Sequence, residues 1–202
     1  MTKQPTPAEA PAPKRRRADA ERSVAAILDA ALEALASDPD SSMSEIARRA
    51  GVVRATIYVH FPTRTDLLDA VMEYAVAQVV EAMRAAEPQR GEPVEALERV
   101  LKATWRQLAH FHALLALNTA RLSAEELHRR HVPMLDQLEP LIKRGQRQGV
   151  FRSDLPVAWH LAVLRAIVHT ASHEIQGGRI PESKAEAAML STAISAISPQ
   201  QT

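Results

Sequence analysis

Apolar residues recur every three or four positions along nearly the whole chain, and this periodicity constrains the fold more than any other feature of the sequence. The stripes begin at about residue 21 and continue to about residue 197. Glycine occurs only six times and aromatic residues make up 3% of the chain, which disfavours β-sandwiches, β-barrels and glycine-rich phosphate loops. The sequence therefore predicts an all-α fold of about nine helices.

The composition is that of a globular chain and excludes several classes of protein. The 202 residues, 46% of them apolar and 24% charged, can bury a core in one ordinary domain or two small ones. The absence of cysteine excludes disulfide frameworks, cysteine zinc sites and thiol catalysis. Phosphate loops, nucleophile elbows and HExxH sequences are also absent, so we expect no enzyme, no cofactor and no metal. Without an apolar leader or a stretch of ~18 apolar residues, we expect no membrane span and a cytoplasmic location.

Positive charge is concentrated near the N-terminus, although the net charge is only +1. Residues 14–22 carry five positive and two negative side chains, and residues 45–64 carry four arginines against one glutamate. Residues 1–19 are rich in proline and lack periodicity, so we predict a disordered basic arm there. Its basic run, which is either a solvated tail or a set of contacts to nucleic-acid phosphates, consists of Lys14, Arg15, Arg16 and Arg17.

Residues 42–66 contain the start and stop signals of two short helices and of a longer helix behind them. Ser42 with Glu45 is a capping signature, and Gly51 suits the left-handed residue that ends a helix. A second short helix is predicted over 54–60, and a similar capping signature starts the longer helix. Two short helices joined by a glycine-containing turn form a helix-turn-helix, whose second helix enters the major groove of DNA.

A specific run of residues accompanies this unit: Glu45-Ile46-Ala47, Ala50-Gly51-Val52, Thr56-Ile57-Tyr58-Val59-His60-Phe61, Pro62, Arg64 and Leu67-Leu68. This pattern, within residues 24–70, resembles the DNA-binding head of the tetracycline-repressor (TetR) family of bacterial regulators. The resemblance implies an N-terminal three-helix head over 20–66. It also implies a C-terminal helical bundle over 67–202 that dimerises and binds an effector.

The resemblance assigns a set of head residues to DNA. Arg54 would read guanine through bidentate hydrogen bonds, and Val59 would offer apolar contact to a base. Tyr58 and its polar neighbours would contact phosphates. The full set is Ser44, Arg54, Ala55, Thr56, Tyr58, Val59, His60 and Arg64.

Three positions depart from the family pattern. Val53 stands where a serine or threonine usually caps the second short helix, and such a cap is typically worth ~1 kcal/mol. Arg64 replaces the usual lysine, which keeps the charge and adds a planar fork. The first helix ends in Ala36-Ser37-Asp38-Pro39 instead of an aromatic residue and glycine.

The resemblance also implies an effector cavity and a dimer interface in the body, although both sets of residues could be plain core. The candidate effector-binding residues are Trp105, Leu108, Phe111, His112, Met134 and Leu138. The candidate interface residues are Leu161, Leu164, Val168, Ile175, Leu190 and Ile194.

We therefore predict a homodimeric regulator that binds double-stranded DNA at a palindromic operator. We expect it to be a repressor that a small, apolar effector releases. Two other classes of protein remain open. One is a helical interaction protein without DNA binding, and the other is a metal sensor that uses His169 and His173, one helical turn apart.

Overall fold

The computed structural model describes residues 13–199, and the side chains of all of these except 13–18, 109–121, Ala124, Gln176 and Glu182. This part of the chain forms eight α-helices and no strand, which confirms the predicted all-α fold. None of its helices is long and apolar enough to cross a membrane. The helices are α1 (Pro13–Ser37), α2 (Met43–Arg49), α3 (Arg54–His60), α4 (Arg64–Ala85), α5 (Pro93–Arg121), α6 (Ala124–Arg147), α7 (Val157–Gln176) and α8 (Glu182–Ile197).

The first helix begins earlier than the sequence predicted. α1 starts at Pro13, so residues 13–19 are helical instead of belonging to a disordered arm. Proline suits the first turn of a helix because its missing N–H needs no partner there, and the arginines and alanines that follow favour helix. The rest of the predicted arm, residues 1–12, lies outside the described part. The helix ends at Ser37, directly before the Asp38-Pro39 pair that predicted its end.

α6 is also longer than predicted. The sequence indicated a short helix over 123–130 and a second one that is kinked or restarts at Pro140, but a single helix contains both Pro133 and Pro140. Both prolines are exposed, so the carbonyl groups that lose their helical partners can bond to water. The continuity of α6 explains why the described part has eight helices instead of about nine.

α5 is the central helix of the body. It packs against α1, α4, α6, α7 and α8. Its side chains Leu97, Val100, Leu101 and Trp105 are buried among those neighbours. α4 connects head and body, because its first turns pack with the head and its later turns contact α5 and α6.

Candidate functional site

The helix-turn-helix forms where the sequence predicted it. The backbone N–H of Glu45 donates to the Ser42 hydroxyl at 3.2 Å, which starts α2. Gly51 follows the helix with φ +67°, the left-handed conformation expected there. The Glu45 carboxylate accepts hydrogen bonds from Arg48 and Arg49 instead of completing a capping box, and these bonds lower its pKa to about 2.

α3 has one buried face and one exposed face. Ile57 is fully buried, whereas Arg54, Ala55, Tyr58 and Val59 are exposed. Val59 is 77% exposed, which is unusual for a large apolar side chain and suits a residue that a partner covers. The exposed face of α3 therefore carries the positions predicted to read bases.

A small apolar core supports α3 from behind. Ile46, Ala47, Ile57 and Phe61 are buried and Val52 is half-buried. The core continues into the helices on either side through Ile27, Leu28, Ala31, Leu35, Leu67 and Leu68. Because these contacts hold α3 by one face, its other face is available to a ligand of the size of DNA.

The two most prominent DNA candidates contact one another. The guanidinium of Arg54 lies over the ring of Tyr58, 5.6 Å from its centroid, one helical turn along α3. Val53 occupies the capping position before α3 and makes no side-chain hydrogen bond to it, as the missing serine or threonine predicted. Stacking on Tyr58 orders the Arg54 side chain in the first turn of an uncapped helix.

Arg64 has a different environment from the one predicted. Its guanidinium donates to the backbone carbonyl of Pro39 at 2.7 Å and to that of Ser41, so it ties α4 to the loop between α1 and α2. The first turn of α4 is held by a complete capping box between Thr63 and Asp66. Arg64 thus holds the start of α4 against the α1–α2 loop of the head. The two guanidinium nitrogens that bond to these carbonyls are donors that the resemblance assigned to DNA phosphate.

The remaining DNA candidates lie around α2 and α3. Ser44 is exposed on α2, and Thr56 and His60 are half-buried on α3. The side chains of the basic run in 14–17 lie outside the described residues, although their backbone belongs to α1.

The body contains a cavity of about 60 Å³ between α4, α5, α6 and α7. Leu108, Met134 and Leu138, three of the predicted effector residues, line it. Trp105 is buried in the adjoining core instead, and the side chains of Phe111 and His112 lie outside the described residues. The polar lining residues, none of which the sequence assigned to an effector, are Thr104, His131, Arg165 and His169.

Two imidazoles meet at this cavity. Nε2 of His131 lies 3.1 Å from Nε2 of His169, and Nδ1 of His131 lies 2.5 Å from the carbonyl oxygen of Leu127. Burial lowers the pKa of His131. Burial, reinforced by His131 and Arg165, lowers the pKa of His169 to about 4. Both imidazoles are therefore neutral at neutral pH.

His169 and His173, the pair predicted for a metal sensor, do not face a common site. His169 turns inward to His131, whereas the His173 side chain is 74% exposed and lies beside Glu174 and Arg179. Among the described residues there is no group of three or more histidine or acidic side chains that could hold a metal ion.

The residues predicted for a dimer interface divide into two groups. Leu161, Leu164 and Val168 are 7%, 1% and 6% exposed within one chain, because they pack inward and line the cavity. A partner cannot cover side chains that are already buried, so this part of the prediction is wrong. The other three, Ile175, Leu190 and Ile194, are half-buried and remain available at the surface.

Comparisons with known proteins agree with this architecture. The family model for bacterial regulatory proteins of the tetR family matches residues 27–71, and the model for the tetracyclin repressor-like C-terminal domain matches residues 93–195. The HTH-type transcriptional regulator NfxB of Pseudomonas aeruginosa is 26% identical over 159 residues, which cover 78% of this chain and 84% of that protein. The HTH-type transcriptional repressor LfrR of Mycolicibacterium smegmatis is 40% identical over 83 residues, covering 41% of this chain and 44% of that protein.

Solved structures are similar over almost the whole chain. LfrR from Mycobacterium smegmatis in complex with proflavine has a TM-score of 0.65 and 25% identity, covering 89% of this chain and 99% of that one. FadR from Bacillus subtilis in complex with stearoyl-CoA has a TM-score of 0.70 at 22% identity, covering 86% of this chain and 98% of that one, and shows likeness of fold. The second family model alone spans more than half of the 202 residues, and the first coincides with the helix-turn-helix. This chain therefore belongs to the TetR family of DNA-binding transcriptional regulators and is not an enzyme.

Proposed function

We propose that this protein is a homodimeric repressor that binds a palindromic operator and is released from it by a small effector in the body cavity. The observation that carries the proposal is the exposed face of α3, where Arg54, Tyr58 and Val59 face outward while Ile57 anchors the helix. DNA is the occupant that this face suits, since it combines a cation, a phenol and an apolar group. A cytoplasmic location follows from that function and is part of the proposal.

The dimer would form through the outer faces of α7 and α8. On α7, Trp159 is 55% exposed, and Val163 and Ala166 follow it at helical spacing. Leu190 and Ile194 are half-buried on α8, which packs beside α7. Pairing these faces around a twofold axis would remove apolar surface from water and form a four-helix interface. Two α3 helices could then enter successive major grooves, about 34 Å apart.

Arg130 supplies a physical link between cavity and head. It donates from Nη2 to Asp69 on α4 at 3.2 Å and from Nε to Glu126 at 3.1 Å, and its neighbour His131 lines the cavity. A ligand that moves His131 would move Arg130 with it, and through Asp69 the helix that carries the head. By linkage, a ligand that favours another spacing of the two heads lowers DNA affinity, and DNA lowers affinity for the ligand.

Selection from random DNA duplexes near physiological salt tests the DNA part of this proposal. We expect enrichment of an inverted repeat whose half-sites are about 10 base pairs apart. Binding to it should weaken steeply with salt, because phosphate contacts release counterions. No enrichment together with a flat salt dependence would instead support a helical interaction protein.

Sedimentation of Trp159→Glu tests the dimer. A carboxylate within the proposed interface should dissociate the protein at micromolar concentration. Val132→Glu is the matched control, since Val132 is also apolar and 38% exposed but lies on α6. A dimer that persists in Trp159→Glu, or dissociates equally in both variants, would contradict this interface.

A further inference from the structure

The cavity in the body has a mostly apolar lining that includes four polar residues. The apolar lining comes from Met83, Leu101, Leu108, Met134, Leu135, Leu138, Leu161, Leu164 and Val168. The other lining residues are Thr104 on α5, His131 on α6, and Arg165 and His169 on α7. No acidic side chain is among the described residues that line it.

Two of these polar groups have no partner among the described residues. The Thr104 hydroxyl is buried and has no hydrogen-bond partner there. The Arg165 guanidinium is half-buried and makes no hydrogen bond or ion pair with any other described residue. A buried polar group without a partner costs stability, so the Thr104 hydroxyl marks a position where a ligand can bond. The half-buried Arg165 guanidinium is available to pair with an anion.

The histidine pair has a defined direction of hydrogen bonding. Because Nδ1 of His131 faces a carbonyl oxygen, it must carry a hydrogen and donate to Leu127. In the neutral pair Nε2 of His131 is therefore the acceptor, and Nε2 of His169 donates to it across 3.1 Å. Nδ1 of His169 then keeps a lone pair, and it is the one imidazole nitrogen of the pair that can take up a proton.

The charges around the pair are positive. Arg165 from α7 and His128 from α6 are the charged or titratable groups that act on it. α4 and the described part of the α5 lining contribute Met83, Leu101, Thr104 and Leu108, which do not titrate. A cationic ligand would meet Arg165 without a counter-charge, whereas an anionic group would pair with it.

Building on the effector cavity of the proposed function, we propose that this cavity binds an amphiphile with an alkyl chain and a carboxylate head. The carboxylate accepts hydrogen bonds from the Arg165 fork and from the Thr104 hydroxyl, and the chain lies among the leucine and methionine side chains. A carboxylate bound there favours the imidazolium, so it raises the pKa of His169, and Nδ1 takes up a proton from solvent at mildly acidic pH.

The size of the cavity limits the chain. Pockets for drug-sized ligands measure about 300–1,000 Å³, whereas this one measures about 60 Å³. Met83 and Met134 line it, and methionine side chains change rotamer readily, so a chain of several methylenes can enter by displacing them. Each added methylene should raise affinity about threefold to fourfold until the space is filled.

Calorimetric titration with octanoate, octan-1-ol and octylammonium tests the head group at constant chain length. We expect octanoate to bind about tenfold more tightly than either of the other two, because only octanoate can form charge-assisted bonds with Arg165. Titration in two buffers of different ionisation enthalpy should detect proton uptake at pH 6 with octanoate and none with octan-1-ol. Octanoate affinity should also rise as the pH falls from 8 to 6.

Substitutions of Arg165 and His169 test whether these residues cause the preference for octanoate and the proton uptake. Arg165→Gln should lower octanoate affinity about tenfold and leave octan-1-ol affinity unchanged, which also shows that the cavity remains intact. His169→Gln should remove the proton uptake. The control Arg147→Gln removes the same charge from an exposed position of α6 and should change neither result.

The results separate this proposal from the proposed function. Equal binding of the three probes, tighter binding of octylammonium, or no binding of any probe would overturn the carboxylate assignment, and the selection of an operator would be unaffected. Octanoate binding that depends on Arg165 supports the assignment even when the operator complex stays intact. In that case release by this ligand, and not its recognition, is the part that fails.

Discussion

The head and the body cavity place functional side chains in opposite ways. The head presents Arg54, Tyr58 and Val59 on the outer face of one seven-residue helix, and that helix is held by a small core. The cavity combines side chains from α4, α5, α6 and α7, including His131 and His169 from different helices. A site on one helix depends on local spacing, whereas a site between helices depends on how the helices pack. The two regions should therefore respond differently to substitution.

The largest difference in DNA binding is expected between matched Ile→Ala substitutions, one in the core of the head and one in the core of the body. Ile57→Ala and Ile142→Ala each remove a fully buried side chain, one on the buried face of α3 and one in α6, and each should cost about 2–5 kcal/mol of unfolding free energy. Only Ile57→Ala should also abolish operator binding at a temperature where both variants remain helical. Circular dichroism and DNA binding measured together would test this, and equal loss of DNA binding would contradict a separately supported head.

Arg54→Ala should cost about 1–3 kcal/mol in operator binding and relax the preference at one base position. Tyr58→Phe should instead weaken binding similarly across sequences, since it removes a phosphate contact. Binding to a panel of single-base operator variants distinguishes the two results. A loss for Arg54→Ala that is equal at every operator would contradict its role as a base reader.

The cavity should contribute a pH dependence of stability between pH 6.5 and 4. The pKa of His169 is about 4, below the ordinary 6.5, so between these values the unfolded chain binds more protons than the folded one. Stability should therefore fall by about 1–2 kcal/mol as the pH decreases from 6.5 to 4, after allowance for partial solvent access. His169→Gln should flatten this part of the urea-unfolding profile. His173→Gln, on the exposed side of α7, should leave it unchanged.

The smallest effect is expected from restoring the missing cap. Val53→Ser places a hydroxyl at the start of α3, where no side chain now bonds to the free backbone N–H groups, and should stabilise that helix by about 1 kcal/mol. Hydrogen exchange should slow in α3 and remain the same in α7. Unchanged exchange in α3 would mean that packing on Ile57 already holds its first turn.

The sequence was most informative where structure is local. Ser42, Gly51 and the Thr63–Asp66 pair mark the helix ends in the head, and each forms the contact or conformation that its residue type favours. It was less informative about α6, because Pro133 and Pro140 oppose a helix locally while packing of the buried face maintains one. Leu161, Leu164 and Val168 were predicted to lie in the dimer interface but are buried within one chain. The reason is related, because periodicity identifies an apolar face but not what covers it.

The sequence by itself determined an all-α chain and the position of the helix-turn-helix, and its family pattern predicted which residues contact DNA. All of these depend on spacings within a few turns of helix. Only the tertiary structure decided that Arg64 ties α4 to the loop between α1 and α2, and that His131, His169 and Arg165 share one cavity. His131 and His169 are 38 residues apart, and their contact exists because α6 and α7 pack together. Such contacts depend on the relative placement of whole helices, which no local pattern of residues specifies.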